Sequence, residues 1–264
     1  MWLTVIFTAI APYKVHTIPS CTCSNNNPAM AFETPYRQLH WSYLIFVNIW
    51  LLLNPSHLCA EYAMLAIPGI SSFADPRNLL TLVTFAVLIS LGIYSIAGGG
   101  KHHKIVLFSL LLMVLPFLPA SNLFFPTGFV IAERVLYLPS MGFCILVGWG
   151  VWHTLNRMEP HYLIKVGMIY LLLIHAAKAV TRNRDWYSNS TLYHSSLRDS
   201  ACANNAKMIR NLASVYGSTQ NYSVAEALYQ HAIDVSPGYI HAYMDLGNLL
   251  QIQKKFAEAG QVCE

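Results

Sequence analysis

Glu133 and Arg134 stand side by side within residues 124–143 (FFPTGFVIAERVLYLPSMGF), a segment otherwise free of charge. An adjacent ion pair at a membrane boundary is unfavourable unless it is solvated or used. In use, Arg134 can grip the phosphate of a lipid-linked donor bidentately, and Glu133 can orient that group or accept a proton. In the plainer reading the pair only anchors a helix end. Arg182 and Arg184 precede Asp185-Trp186, where the last apolar stretch meets a more polar tail. Arg and Trp there usually mark a membrane–water interface, and an Arg can also contact a phosphate. Glu61 and Asp75 are loop acids, each a candidate general base near the membrane.

Other chemistries find little support. The six cysteines, at 21, 23, 59, 144, 202 and 263, contain no CxxC pair. Cys21-Thr22-Cys23 has no second pair to complete a metal site, and His102-His103 reads as a solvated turn. Gly98-Gly99-Gly100 follows a membrane helix rather than a strand, so it reads as a flexible turn and not a phosphate loop. HExxH and GxSxG are absent. No metal and no cofactor are expected. A net charge of +4, scattered along the chain, excludes a nucleic-acid partner.

The elements that must position these residues change character once, near residue 181. The chain is 55% hydrophobic and 11% charged, against roughly 25% charged in soluble domains. The deficit lies before that point. Five stretches approach the length of a membrane span: 41–58, 79–97, 105–119, 135–152 and 163–180. Asn48 and Asn54-Pro55 weaken the first. Lys165 and Lys178 sit near the ends of the last, where long side chains can snorkel. Lys101, Lys104 and Arg157 fall in loops on one side, which the positive-inside rule makes cytosolic. The loops 59–78 and 120–134, and everything after 180, then lie in the lumen or outside. Two acceptor sequons, at Asn189 and Asn221, agree with that placement and are candidate N-glycosylation sites. Residues 1–40 form a divergent amino-terminal segment.

After residue 180 the hydrophobic period changes. A 34-residue unit over 206–239 starts again over 240–264. Ile209, Leu212, Ala213 and Tyr216 recur as Tyr243, Leu246, Gly247 and Leu250; Tyr222 and Ala225 recur as Phe256 and Ala259. Large, small and large residues on a first helix, an Ala on the second and a closing Pro237 form the tetratricopeptide pattern. Residues 181–205 read as a linker and a capping helix. Asn211, Ser214, Asp245 and Asn248 are the polar positions that would line a peptide-binding groove. The second unit stops within its second helix, so an open apolar face is expected at Tyr243, Leu246 and Leu250. The expected fold is all-α: a polytopic membrane helix bundle of about five spans (41–180), followed by a short tetratricopeptide α-solenoid.

Three segments resemble one family: NPSHLCAEYAMLAIPGI (54–70), FFPTGFVIAERVLYLPSMGFC (124–144) and NRDWYSNSTLYHSSLRDSACANNAK (183–207). With the membrane-then-repeat order, they are similar to the transmembrane and tetratricopeptide-repeat protein O-mannosyltransferases of the endoplasmic reticulum. The resemblance implies a multi-pass glycosyltransferase of that membrane with its repeats in the lumen. It would move mannose from dolichyl phosphate mannose, a lipid substrate, to Ser or Thr of lumenal proteins such as cadherins. An acceptor hydroxyl would attack the anomeric carbon, an acid would take the proton, and the lipid phosphate would leave. Arg134, Glu133 and Arg182 are then the candidate residues for the donor phosphate. Members of the family begin with further spans and an acidic lumenal loop, whereas no acid precedes Glu33 here. The resemblance therefore implies a chain shortened at both ends, and inactive for want of that loop. Only Glu61 and Asp75 stand as candidate catalytic acids. The competing expectation is a non-catalytic membrane adaptor whose repeat groove holds lumenal proteins. A transporter has less behind it, since no inverted repeat is visible.

Overall fold

The computed structural model describes residues 33–263, apart from 57, 64–65, 124–126, 128, 158, 160 and 199–201. Most of the amino-terminal segment expected over 1–40, with its Cys21 and Cys23, lies outside the described residues. Ten α-helices follow one another among the described residues, with no strand and a single antiparallel bridge between Tyr62 and Ile131.

The first half holds α1 (Tyr36–Leu53), α2 (Arg77–Ala97), α3 (Lys101–Val114), α4 (Tyr137–Leu155) and α5 (His161–Asp185). Among the described residues, four helical stretches are long and apolar enough to cross a membrane: Arg77–Ala97, Lys101–Ala120, Glu133–Leu155 and His161–Asp185, with mean hydropathies of 2.3, 1.9, 1.6 and 1.8. They are four of the five stretches expected. The stretch 41–58 drops out for a local reason. Its helix starts early, at Tyr36, and so takes in Arg37, Gln38 and His40. It also stops early, at Leu53, because Pro55 drives Asn54 out of helical geometry (φ −142°, ψ 80°).

Side-chain exposure on the four stretches is what a lipid solvent selects. In α5 no residue is buried, and Leu163, Val166, Ile169 and Leu172 all face outward. A helix apolar on every face is at home in a hydrocarbon phase. Where two of these helices touch, a small residue sets the distance. A Cβ added to Gly142 of α4 would lie 2.5 Å from the Ser109 carbonyl oxygen and 2.7 Å from the Met113 nitrogen of α3. The backbones therefore pack almost in contact, as small residues allow in membrane helix pairs. Val106, Leu110 and Met113 fill the seam with Phe143, Leu146 and Trp149.

The carboxy-terminal half contains α6 (Asn189–Arg198), α7 (Ala206–Ser218), α8 (Tyr222–Val235), α9 (Ile240–Ile252) and α10 (Phe256–Cys263). Asn205 caps α7, its side chain accepting from the Lys207 and Met208 amides. The α7–α8 and α9–α10 hairpins turn alike: Gln220 and Lys254 each adopt a φ of 62° at equivalent places. Ala213, Ala225, Ala232, Leu246 and Leu250 are buried in one shared core. An open face at Leu246 and Leu250 is not observed. The short α10 is enough to close over both, and Tyr243 packs beside them.

Candidate functional site

The loop between α1 and α2 lies against the start of the carboxy-terminal helices, and that contact builds the site. Cys59 and Cys202 form a disulfide across 143 residues, with both cysteines buried. The Ala60 amide donates to Ser196 Oγ at 3.0 Å, and Asn205 Nδ2 donates to the Glu61 carbonyl at 2.8 Å. Ala63 is buried in the same core as α7 to α10. This short stretch is thus fixed by a covalent bond, two hydrogen bonds and an apolar contact. It presents Tyr62, which also bridges to Ile131, just ahead of α4.

Glu133 opens a 3₁₀ turn, Glu133–Leu136, that leads into α4. The buried Tyr62 donates its phenolic hydroxyl to Glu133 Oε1 at 3.1 Å, and the Cys59 amide donates to the same hydroxyl at 3.2 Å. The guanidinium of Arg182, on the last turn of α5, acts electrostatically on this carboxylate. Arg182 Nη1 reaches Asp185 Oδ2 at 3.5 Å, and its plane lies 5.8 Å from the Trp186 ring. Its Nε and Nη2 are buried and have no hydrogen-bond partner among the described residues. A guanidinium with two buried, unused donors suits an oxyanion ligand.

Arg134 has different surroundings from its neighbour. It is exposed, with no ion-pair or hydrogen-bond partner among the described residues. It lines a groove of about 530 Å³ whose walls include Pro116, Pro119, Val135 and Leu138. The structure joins Glu133 to Tyr62, with the charge of Arg182 acting on the same carboxylate, and sends Arg134 elsewhere, because consecutive residues of a helical turn project in different directions.

The two loop acids are both engaged. Glu61 is salt-bridged to Lys207 Nζ of α7. Asp75 takes a forked contact from Arg77, whose Nη2 reaches Oδ2 at 2.6 Å while Nη1 reaches the Pro68 carbonyl at 2.7 Å. Burial by itself would raise the Asp75 pKa, but the hydrogen bonds and charge of Arg77 outweigh it and hold the carboxyl below its ordinary value. Asn189 opens α6 and Asn221 precedes α8, and both are exposed. Sequence reasoning passed over Tyr62, Lys207 and the disulfide. A tyrosine in a loop and two cysteines 143 residues apart carry no spacing signal.

An all-helical chain with four candidate spans, joined by loops that support a polar cluster at one end, defines a multi-pass membrane protein. The model of the family "Protein O-mannosyl-transferase TMTC, DUF1736" matches residues 17–89. Protein O-mannosyl-transferase TMTC3 of Mus musculus is 46% identical over 234 residues, covering 89% of this chain and 25% of its own length. Protein O-mannosyl-transferase TMTC1 of Homo sapiens is 39% identical over 219 residues, covering 81% of this chain and 24% of its own. Protein O-mannosyl-transferase TMTC4 of Homo sapiens is 35% identical over 212 residues, covering 80% and 28%. The chain thus spans about 25% of the length of the first of these relatives. No solved structure matches it. The chain belongs to the TMTC family of protein O-mannosyl-transferases.

Proposed function

We propose that the chain works in protein O-mannosylation at the endoplasmic reticulum membrane, with mannose passing from dolichyl phosphate mannose to Ser or Thr of lumenal proteins such as cadherins. The observation that carries this reading is the Tyr62–Glu133 hydrogen bond, with the charge of Arg182 acting on the same carboxylate. The acceptor oxygen attacks the anomeric carbon while the bond from that carbon to the phosphate oxygen breaks. The hydroxyl proton passes to the Glu133 carboxylate, and the bonding pair leaves with dolichyl phosphate. The free Nε and Nη2 of Arg182 are placed to stabilise the departing phosphate. Arg134 in its apolar groove is the second phosphate candidate, standing closer to the lipid part of the donor.

Two observations support a lumenal placement of this end. Disulfides persist in oxidising compartments, and Cys59–Cys202 ties the loop to the tail helices. Lys101, Lys104 and Arg157 gather at the opposite turns, as the positive-inside rule asks of a cytosolic face. The paired hairpins of α7 to α10 are in keeping with two tetratricopeptide units.

The test supplies microsomes carrying the chain with radiolabelled dolichyl phosphate mannose and a cadherin domain. Label on Ser or Thr above that of control microsomes, and its loss in Arg182→Gln and Glu133→Gln, is the expected result. Label at control level overturns the transferase reading of this chain.

A second reading, an adaptor, is favoured by Ile240, Met244, Ile252 and Phe256, which stand exposed on α9 and α10. Asp245, one of the expected groove residues, is instead held by Arg210 Nε at 2.6 Å. Lumenal crosslinking of a partner through α9 and α10, without sugar transfer, would favour the adaptor.

A further inference from the structure

The turn between α2 and α3, together with the last turns of α4, is built from rings. His103 stacks on Tyr94 with centroids 4.4 Å apart, Tyr94 leans on Trp149 at 5.7 Å, and Trp149 stacks on His153 at 5.4 Å. His102 stacks separately on Trp152 at 4.9 Å. The His103 Nδ1 lies 2.6 Å from the Tyr94 carbonyl and, since a carbonyl only accepts, it carries the hydrogen. Gly98 makes room for that ring, because a Cβ there would lie 2.5 Å from Nε2. Three helix ends are thus tied together, and the ties set where the neighbouring cations stand.

Those cations are Lys101, Lys104 and Arg157. All three are exposed, and their side chains have no ion-pair or hydrogen-bond partner among the described residues. No Asp or Glu occurs between Asp75 and Glu133, or between Glu133 and Glu159. Glu159 itself is taken by His161, whose Nε2 lies 2.7 Å from its Oε1. The patch is therefore positive and uncompensated. The α3 face that carries the two lysines continues at helical spacing through Phe108, Leu111 and Leu115, which are 58%, 44% and 56% exposed. Cations at the tip of a candidate span, with an apolar strip below them, complement a molecule with an anionic head and a long hydrocarbon chain. A nucleic acid or an acidic peptide would match the cations and leave the strip uncovered.

We propose that this end of α2 to α4 is a binding site for an anionic phospholipid. Lys101, Lys104 and Arg157 hold its headgroup, and an acyl chain runs along Phe108, Leu111 and Leu115. The leaflet richest in anionic lipid is the cytosolic one, the side on which the positive-inside rule sets these turns. Glu133 opens the opposite end of the span Glu133–Leu155, 23 residues long, or roughly 30 Å away. The lipid site therefore stands or falls apart from the transferase reading.

The experiment uses the whole chain in phosphatidylcholine bilayers with a trace of spin-labelled lipid. Spin-labelled phosphatidylserine and spin-labelled phosphatidylcholine, identical in their chains, are compared by the fraction that the protein immobilises. Phosphatidylserine should associate at least about fivefold more strongly, the worth of one cation near a charged membrane surface. In the unaltered protein that preference should shrink as salt rises from about 0.05 M to about 0.5 M, since screening shortens the reach of the charges. The triple variant Lys101→Gln, Lys104→Gln, Arg157→Gln should bring the two lipids level. Glycerophosphoserine, the same headgroup without chains, should not displace the labelled lipid. Equal association of the two lipids with the unaltered protein overturns the proposal. So does a preference that ignores salt or survives in the triple variant, and displacement by glycerophosphoserine would overturn it in favour of a soluble anion.

Discussion

Glu61, in the loop ahead of the first candidate span, forms a salt bridge with Lys207 on the first turn of α7, 146 positions along the chain. The contact crosses from the membrane half to the tail half, beside the disulfide and next to the tyrosine that holds Glu133. Both partners keep some solvent contact, so the bridge itself is modest, about 0.2–1 kcal/mol. Lys207→Met should therefore lower the thermal midpoint in detergent by only a few degrees. A fall of more than about 10 °C would show that Lys207 does more than pair with Glu61.

The Cys59–Cys202 disulfide closes a loop of 143 residues and should dominate the same interface. Loss of such a bond typically costs about 2–5 kcal/mol. Cys59→Ser with Cys202→Ser should leave the helices formed but expose the 54–76 loop and α6 to limited proteolysis. Mass mapping of the first cleavage sites measures this. An unchanged cleavage pattern would show that the loop is held without the bond.

Tyr62 aims Glu133 through one hydrogen bond at 3.1 Å. Tyr62→Phe keeps the ring and removes the donor. If Glu133 takes the acceptor proton, sugar transfer in microsomes should fall about tenfold with little change in donor affinity. A drop in donor affinity with turnover intact would instead assign Tyr62 to binding.

Asp75 sets a pH dependence of known sign. Its folded pKa is held below the ordinary value of 3.8, after the Arg77 contacts overcome the effect of burial. A depressed carboxyl contributes stability above its unfolded pKa and loses it as pH falls through the folded value. Hydrogen-exchange protection over residues 68–78, taken relative to the intrinsic rate at each pH, should be full above about pH 4 and fall steadily below it. Asp75→Asn should be less protected and show no such step. A step that persists in Asp75→Asn would assign it to another group.

Gly142 separates a packing effect from a propensity effect. Its Cβ position is blocked by the backbone of α3, whereas a Cβ on Gly148 of the same helix meets nothing within 4 Å. Gly142→Ala should destabilise the α3–α4 pair by about 1–3 kcal/mol. Gly148→Ala should be neutral or slightly stabilising. Thermal melts of the two variants side by side give the comparison, and equal midpoints would contradict the close approach.

The sequence by itself determined the helical class, the position of four membrane-length stretches and the family. Those properties reside in local composition and period. A run such as 79–97 is apolar whatever surrounds it, and Ala213 and Gly247 keep their 34-residue spacing in any conformation. Residues 41–58 show where local reading reached its limit: Asn48 and Asn54-Pro55 marked a weak stretch, but nothing local revealed that the helix begins at Tyr36 and that His40 and Asn48 turn inward. Only tertiary structure decided which polar groups meet. Glu133 and Arg134 are neighbours in the chain, yet one is held by Tyr62 while the other lines a separate groove. Cys59 pairs with Cys202, and Glu61 with Lys207, across more than half the chain. Contacts of that kind depend on how helices and loops stack in three dimensions, and no periodicity along one dimension encodes them.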